Sequence, residues 1–285
     1  MIKVENVSKS FKNNLVLKNV NMDILPGKIT SLVGLNGAGK STLISLIMNF
    51  KEKNSGEVKR TTVSVMPDAE TMIEDMTGEQ FLKFISKLKK ISKEQINLIY
   101  DLADSLFIKN DLKKKIKSYS FGMKKKISFI QAYIGEFDSY IFDEPTSGVD
   151  IESARIMMNH LINLKKRGKA ILLTSHNIDE VQEFSDYIFL LKHGEIVRKG
   201  TIEEIINKEE KPIYSLKLNI SNFTELVEKY CSGVEYIVAD NEVEIYSNDL
   251  LKLNKIMVEM IKAGGLVISF GKEQRKLKDV IFVNE

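Results

Sequence analysis

The chain has 285 residues, 43% hydrophobic and 28% charged, a composition that supports a substantial core and excludes a disordered or fibrous chain. A formal net charge of +3 demands no nucleic-acid or anionic partner. The one cysteine, Cys231, excludes a disulfide scaffold and a Cys-rich metal site, and it fits a reducing cytosol.

No stretch reaches about 18 uninterrupted apolar residues, so no membrane-spanning helix is expected. Residues 1–11 alternate as a strand does and lack the apolar block of a signal peptide. Residues 30–33, 140–142 and 170–174 are short apolar runs, suited to strands buried on both faces of a parallel sheet. After the first run comes Gly34-Leu35-Asn36-Gly37-Ala38-Gly39-Lys40-Ser41, which fits G-x-x-x-x-G-K-S/T without a gap. Leu43, Ile44, Leu46 and Ile47 follow as a helix, so the loop has the strand-loop-helix context of a phosphate cradle. Candidate nucleotide contacts are Gly34, Asn36, Gly37, Ala38, Gly39, Lys40, Ser41 and Thr42. Lys40 bridges phosphates in such a loop, and Ser41 ligates Mg²⁺.

From about residue 71 to 120 the chain is Lys-rich, with Phe81, Phe84, Ile85 and Leu88 at helical spacing. This predicts a helical insertion between two strands. The lysines at 113–115 and 124–126 read as solvated helix faces, close to anionic lipid headgroups, rather than a nucleic-acid patch, because no aromatic residues interleave with them. Asp143 and Glu144 leave the apolar run 140–142. The first can hold Mg²⁺ and the second can polarise an attacking water. Ile151, Ala154, Met158, Leu161 and Ile162 share one helical face, closed by Gly168. His160 and His193 read as surface histidines. The charged run 203–211, ending at Pro212, reads as a linker.

Beyond it Tyr214, Leu216, Leu218 and Ile220 alternate as a strand, and Asn222 with Glu225 suggests a helix start. Runs 234–239 and 242–246 flank a hairpin turn at Asp240-Asn241. Leu250, Leu253, Met257, Met260 and Ile261 form a helical stripe before a strand at 266–270. The order β-α-β-β-α-β predicts a small α+β, ferredoxin-like unit. The expected division is residues 1–208 and 209–285.

Taken together, the phosphate loop, the DEP segment at 143–145 and a stretch Tyr119-Ser120-Phe121-Gly122-Met123 resemble the nucleotide-binding subunit of ATP-binding cassette (ABC) transporters. The resemblance covers residues 1 to about 205. It implies an α/β P-loop fold with a mixed sheet and helical insertion, ATP and Mg²⁺ as cofactors, and ATP hydrolysis. Ser120, Gly122 and Met123 match the family's signature, which completes the phosphate site of a second subunit in a head-to-tail dimer. Ser147 and Asp150 match its D-loop, and His176 in Leu173-Thr174-Ser175-His176 matches its switch histidine. Phe11 matches the aromatic residue that stacks on adenine; on its own it reads equally as core. Glu144 and His176 are then the catalytic pair, and Ser41 and Asp143 the metal ligands.

Two departures stand out. The signature is S-x-G-M rather than L-S-G-G-Q, which resembles the export branch for drugs, antibiotics and peptides. Residues 63–67 resemble the segment before the family's glutamine, which puts Asp68, or alternatively Glu70, near the metal. A carboxylate there can ligate but cannot donate a hydrogen bond. The implied partners are a second ABC subunit, as homo- or heterodimer, and integral membrane permeases on whose cytoplasmic face the chain would sit. The end of the chain, residues 276–282, resembles the closing helix of cassettes with separate permeases. A non-transport ABC regulator is the alternative, and a P-loop kinase or GTPase has no use for residues 120–122.

Overall fold

The computed structural model describes all residues except 13, 67–71, 208–212, 220–229, 232, 240, 273–276 and 279–285. It divides into two compact units, one spanning Met1–Ile205 and the other Ile206–Asp279.

The first unit is organised by apolar strands that have no solvent face. In chain order its strands are β1 (Ile2–Phe11), β2 (Asn14–Ile24), β3 (Lys28–Val33), β4 (Ser55–Arg60), β5 (Val63–Met66), β6 (Ser139–Asp143), β7 (Ala170–Thr174), β8 (Tyr187–Lys192) and β9 (Glu195–Gly200). Six form a mixed sheet in the order β5-β6-β7-β3-β8-β9, parallel except for the β8–β9 hairpin. Tyr140, Phe142, Ile171 and Leu173 enter the core on one face. Ile141, Leu172 and Leu32 enter the core on the other. Burial on both faces is why these strands read as continuous apolar runs. The antiparallel sheet β2-β1-β4 covers the second face together with α1 (Lys40–Ile47).

The first face is covered by α4 (Phe121–Tyr133), by α5 (Ile151–Lys166) and by the insertion. The insertion holds α2 (Gly78–Leu88) and α3 (Lys93–Ser105), followed by single 3₁₀ turns at Lys109–Asp111 and Ile116–Ser118. A reciprocal box starts α2: the Gln80 N–H donates to Thr77 Oγ1 at 3.2 Å, and the Thr77 N–H donates to Gln80 Oε1 at 2.9 Å. Two expected stripes are rotated. On α2 the buried residues include Phe81 and Leu82, while Phe84 and Leu88 are exposed. On α5 Met157, Met158, Leu161 and Leu164 are buried, and Ile151, the first residue of the helix, is 90% exposed.

The expected linker begins as a helix, α7 (Ile202–Asn207), which follows α6 (Ile178–Phe184) in the numbering. The overlooked signal is Thr201 with Glu204: Glu204 Oε2 accepts from the Thr201 N–H at 2.8 Å, and Thr201 Oγ1 accepts from the Glu204 N–H at 3.2 Å.

In the second unit β10 (Tyr214–Asn219), β11 (Glu235–Ala239), β12 (Glu242–Ser247) and β13 (Leu266–Lys272) form one antiparallel sheet, ordered β11-β12-β10-β13. Leu216, Leu218, Val243 and Ile245 bury one face against Leu253, Ile256 and Met260 of α8 (Leu250–Lys262). Ile256 belongs to this stripe although the sequence pattern did not single it out, and Leu250 and Ile261 are exposed. Ile220, the helix start at Asn222 and most of the closing helix lie outside the described residues. Among the described residues no helix is long and apolar enough to cross a membrane.

A half-buried lysine joins the insertion to the sheet. Lys89, just past α2, donates to Ser64 Oγ on β5 at 2.9 Å and to the carbonyls of Gln131 at 2.5 Å and Ile134 at 3.2 Å, at the end of α4. Burial lowers its pKa from the ordinary 10.5 to about 8. Between those values the unfolded chain binds a proton that the folded chain does not, so this group's contribution to stability rises with pH. Relative to Lys89→Met, which cannot titrate, the wild type gains stability as thermal melts move from pH 8 to pH 10. A constant difference across that range would contradict the desolvated ammonium.

Candidate functional site

The loop after β3 wraps its own lysine. Lys40 is buried, and its Nζ donates to the carbonyls of Gly34 at 2.6 Å and Leu35 at 3.3 Å. Gly39, the residue before α1, has φ +109° and makes no side-chain cap, so the first amides of the helix stay open toward an anion. No acidic residue occupies that first turn. Asn36 and Gly37 are exposed at the crest, Ala38 is buried, and Thr42 is half-buried in the first turn of α1.

Parallel register brings two other strand ends to the loop. Leu32 and Asp143 both pair with Thr174. Ser41 Oγ donates to Asp143 Oδ2 at 3.5 Å, and Thr174 Oγ1 donates to Asp143 Oδ1. The next residue, Glu144, turns out of the strand with φ +48°, a region a β-carbon disfavours. Its N–H donates to Thr174 Oγ1 at 2.9 Å and to the Thr174 carbonyl at 3.1 Å. Glu144 Oε2 lies 3.2 Å from His176 Nδ1, and the two side chains are 27% and 62% exposed. Both line a cavity of about 490 Å³ with Gly34, Asn36, Gly37 and Ala38. Beside them Glu180 joins two loops: its Oε2 accepts from Thr146 Oγ1 at 2.9 Å and from Ser175 Oγ at 3.1 Å.

Ser41 and Asp143 offer two hard oxygen ligands, and no larger His/Cys/Asp/Glu metal cluster exists among the described residues. That sparse set fits Mg²⁺, which keeps water and phosphate oxygens as most of its shell.

The second motif sits at the start of α4. Ser120 is its N-cap, with Oγ accepting from the Met123 N–H at 3.2 Å. Gly122 is pressed on the turn after Glu144: a β-carbon there would lie 2.6 Å from the Gly148 carbonyl oxygen. Asp150 caps α5 through the Ser153 N–H at 2.8 Å and pairs with Lys126 at 2.7 Å. The Lys126 ammonium holds the Asp150 carboxyl down at about 2. Ser147, half-buried, directs its N–H at the Glu144 carbonyl, 3.4 Å away.

Comparison with known proteins places the first unit in a family. The ABC transporter family model matches residues 17–147. An uncharacterized ABC transporter ATP-binding protein of Methanocaldococcus jannaschii is 34% identical over 209 residues, covering 73% of this chain and 80% of that protein. The chain belongs to the family of ABC transporter ATP-binding proteins. Its first unit is an ABC ATPase cassette. The lantibiotic transport ATP-binding protein SrtF of Streptococcus pyogenes is 27% identical, covering 74% of this chain and 95% of SrtF. A solved ATP-binding subunit of an ABC transporter superposes with a TM-score of 0.69 at 25% identity, covering 73% of this chain and 92% of that one.

Within the cassette, Gly34, Asn36, Gly37, Ala38, Glu144 and His176 line one cavity, Ser41 reaches Asp143, and Gly122 packs separately against Gly148. Phe11, at the end of β1, is 39% exposed, with the ammonium groups of Lys9 and Lys51 at 5.1 and 5.0 Å from its ring centre. It is therefore not core. Asp68 and Glu70 lie outside the described residues. His160 is not a plain surface residue: it packs edge-on against Tyr133, 5.0 Å between ring centres, and burial lowers its pKa. His193 is exposed, yet it lines the same cavity as Glu144 and His176.

The largest correction concerns the lysines after the signature. Lys125 and Lys126 are buried rather than solvated, and Lys124 pairs with Glu74 at 2.6 Å. Thr174 and Glu180 were overlooked because their roles come from strand register and loop proximity, neither of which a linear pattern carries. Tyr119 also had a local signal, an aromatic next to the signature serine. Its hydroxyl donates to the Asp111 carbonyl at 2.7 Å, and burial pushes its pKa up to about 12.

Two glycines of the loop differ in a testable way. A β-carbon at Gly34 would lie 2.4 Å from the Leu191 carbonyl oxygen, whereas at Gly37 (φ +81°) nothing lies within 4 Å. Gly37→Ala therefore carries only the left-handed backbone cost of about 1–2 kcal/mol. Gly34→Ala must move backbone, and a larger fall in melting temperature and in Mg·ATP affinity is expected. Equal effects in melting and fluorescent-nucleotide titrations would reject this account.

Proposed function

We propose that this cassette hydrolyses ATP by in-line attack of water on the γ-phosphate and drives export through separately encoded membrane permeases. The carrying observation is the Glu144–His176 contact at 3.2 Å on the wall of the phosphate-loop cavity. Glu144 acts as general base, and His176 holds the water and the γ-phosphate in line. Lys40 exchanges its loop carbonyls for β- and γ-phosphate oxygens, which the open amides at the start of α1 also receive. A Mg²⁺ ion on Ser41 and Asp143 would supply charge neutralisation for the leaving diphosphate. Phe11 is the platform for adenine, its partial exposure leaving ring surface available.

Ser120, Gly122 and Met123 serve the phosphates of a second subunit, because the exposed Ser120 sits at the amino end of a 13-residue helix, where backbone N–H groups favour an anion. Ser147 and Asp150 carry the adjoining D-loop. Export is supported by the likeness to the lantibiotic transport protein SrtF and by the S-x-G-M signature. Through the permease the chain would sit on the cytoplasmic face of the membrane. The second unit reads as ferredoxin-like and serves docking: its sheet order β11-β12-β10-β13, antiparallel throughout, supports that topology.

Glu144→Gln is expected to lower ATP turnover by at least about 100-fold while retaining Mg·ATP binding. Wild-type turnover in that variant would remove Glu144 from the role of base. Purification from detergent-solubilised membranes is expected to bring down a multi-span membrane protein. Recovery of ribosomes or DNA in its place would favour a non-transport regulator.

A further inference from the structure

Lys125 occupies the second turn of α4, is 5% exposed, and points back at the end of β6. Its Nζ donates to the Glu144 carbonyl at 3.0 Å and to the Asp143 carbonyl at 3.4 Å, with the Phe121 ring centre 5.6 Å away. These are charge-assisted bonds to main-chain oxygens in a site shielded from water, where an ammonium counts for more than it does at the surface. The chain needs them there because Glu144 is a non-glycine residue held at φ +48°. Its peptide groups are gripped from two sides. Thr174 takes the N–H through its hydroxyl and its carbonyl, and Lys125 holds the C=O at 3.0 Å, closer than the Ser147 N–H, which reaches the same oxygen at 3.4 Å.

The two grips come from different parts of the cassette. Thr174 belongs to the sheet, whereas Lys125 belongs to the signature helix, which is seated by Gly122 on Gly148 and by Lys126 on Asp150. A shift of α4 would therefore move the carbonyl side of Glu144 while the sheet kept its N–H in place. We propose that Lys125 is a positioning residue that ties the aim of the Glu144 carboxylate to the seating of the signature helix in the same chain. Hydrolysis at a subunit's own phosphates then depends on the state of the signature that it offers to its partner. This rests on the reading of Glu144 as base.

Full-length Lys125→Met, which keeps the stem and removes the donor, is expected to lose roughly 10- to 100-fold in kcat with KM and Mg·ATP affinity within about twofold of wild type. Lys125→Leu replaces it if that variant does not fold. Lys125→Gln, whose amide still donates, is expected to keep at least about a third of the wild-type kcat. In a Glu144→Gln background the loss from Lys125→Met shrinks to under about twofold, because the two residues act as one unit. Wild-type kcat in the donor-less variants overturns the proposal. So does a Gln variant as slow as the Met variant, a loss confined to KM, or a full additive loss in the double variant. If Glu144→Gln itself turns over like wild type, the base reading falls and this proposal falls with it. If Glu144→Gln is inactive and Lys125→Met is not, only the positioning role falls.

Discussion

Thr174 holds the cassette's chemistry in register. Leu32 of β3 and Asp143 of β6 pair with the same residue from opposite sides, so the loop after β3 and the acidic pair after β6 emerge at one height. The Thr174 hydroxyl donates to Asp143 and accepts from the Glu144 N–H, and the next two residues deliver His176. A hydroxyl both donates and accepts through a single atom without carrying charge into the site. Parallel strands place all their carboxyl ends on one edge, and that edge is where open α/β sheets bind ligands. The site is therefore a consequence of strand order as much as of motif chemistry.

The phosphate loop was legible because its spacing and its strand-loop-helix setting are both local. The strands around it were legible because burial on two faces leaves uninterrupted apolar runs such as 170–174. Helix phase was less so. Ile151 looked like core because it falls on the 3.6-residue stripe of Met158 and Leu161, but it is the first residue of the helix and is exposed. The charged run 203–211 masked a helix start, because the capping pair Thr201 and Glu204 stands beside charges that break the apolar periodicity of a helix.

The second unit shows the same contrast. Alternation in β10 and β12 fixes which residues face α8, since Leu216 opposes Ile245 and Leu218 opposes Val243. The edge strands β11 and β13 alternate less cleanly, and a register shift between Lys217 and Leu218 lies on the β10–β13 pair. At edges a hydrophobic pattern constrains register weakly, because only one neighbour has to be satisfied.

The run Lys124-Lys125-Lys126 is where local reading failed for a physical reason. Three adjacent cations on a surface helix are normally solvated, and nothing in their spacing says otherwise. Tertiary structure supplies what the run lacks: Glu74 for the first, main-chain carbonyls at the end of β6 for the second and Asp150 for the third. Burying an ammonium without such partners would cost far more than packing gains. Each partner lies on a different segment: the insertion, the strand end and the D-loop. Residues three in a row on a helix project about 100° apart, so one short stretch of α4 can reach all three at once. One short stretch of the signature helix thereby contacts the insertion, the strand end and the D-loop, and a charge is needed only where the acceptor is a carboxylate, at Glu74 and Asp150.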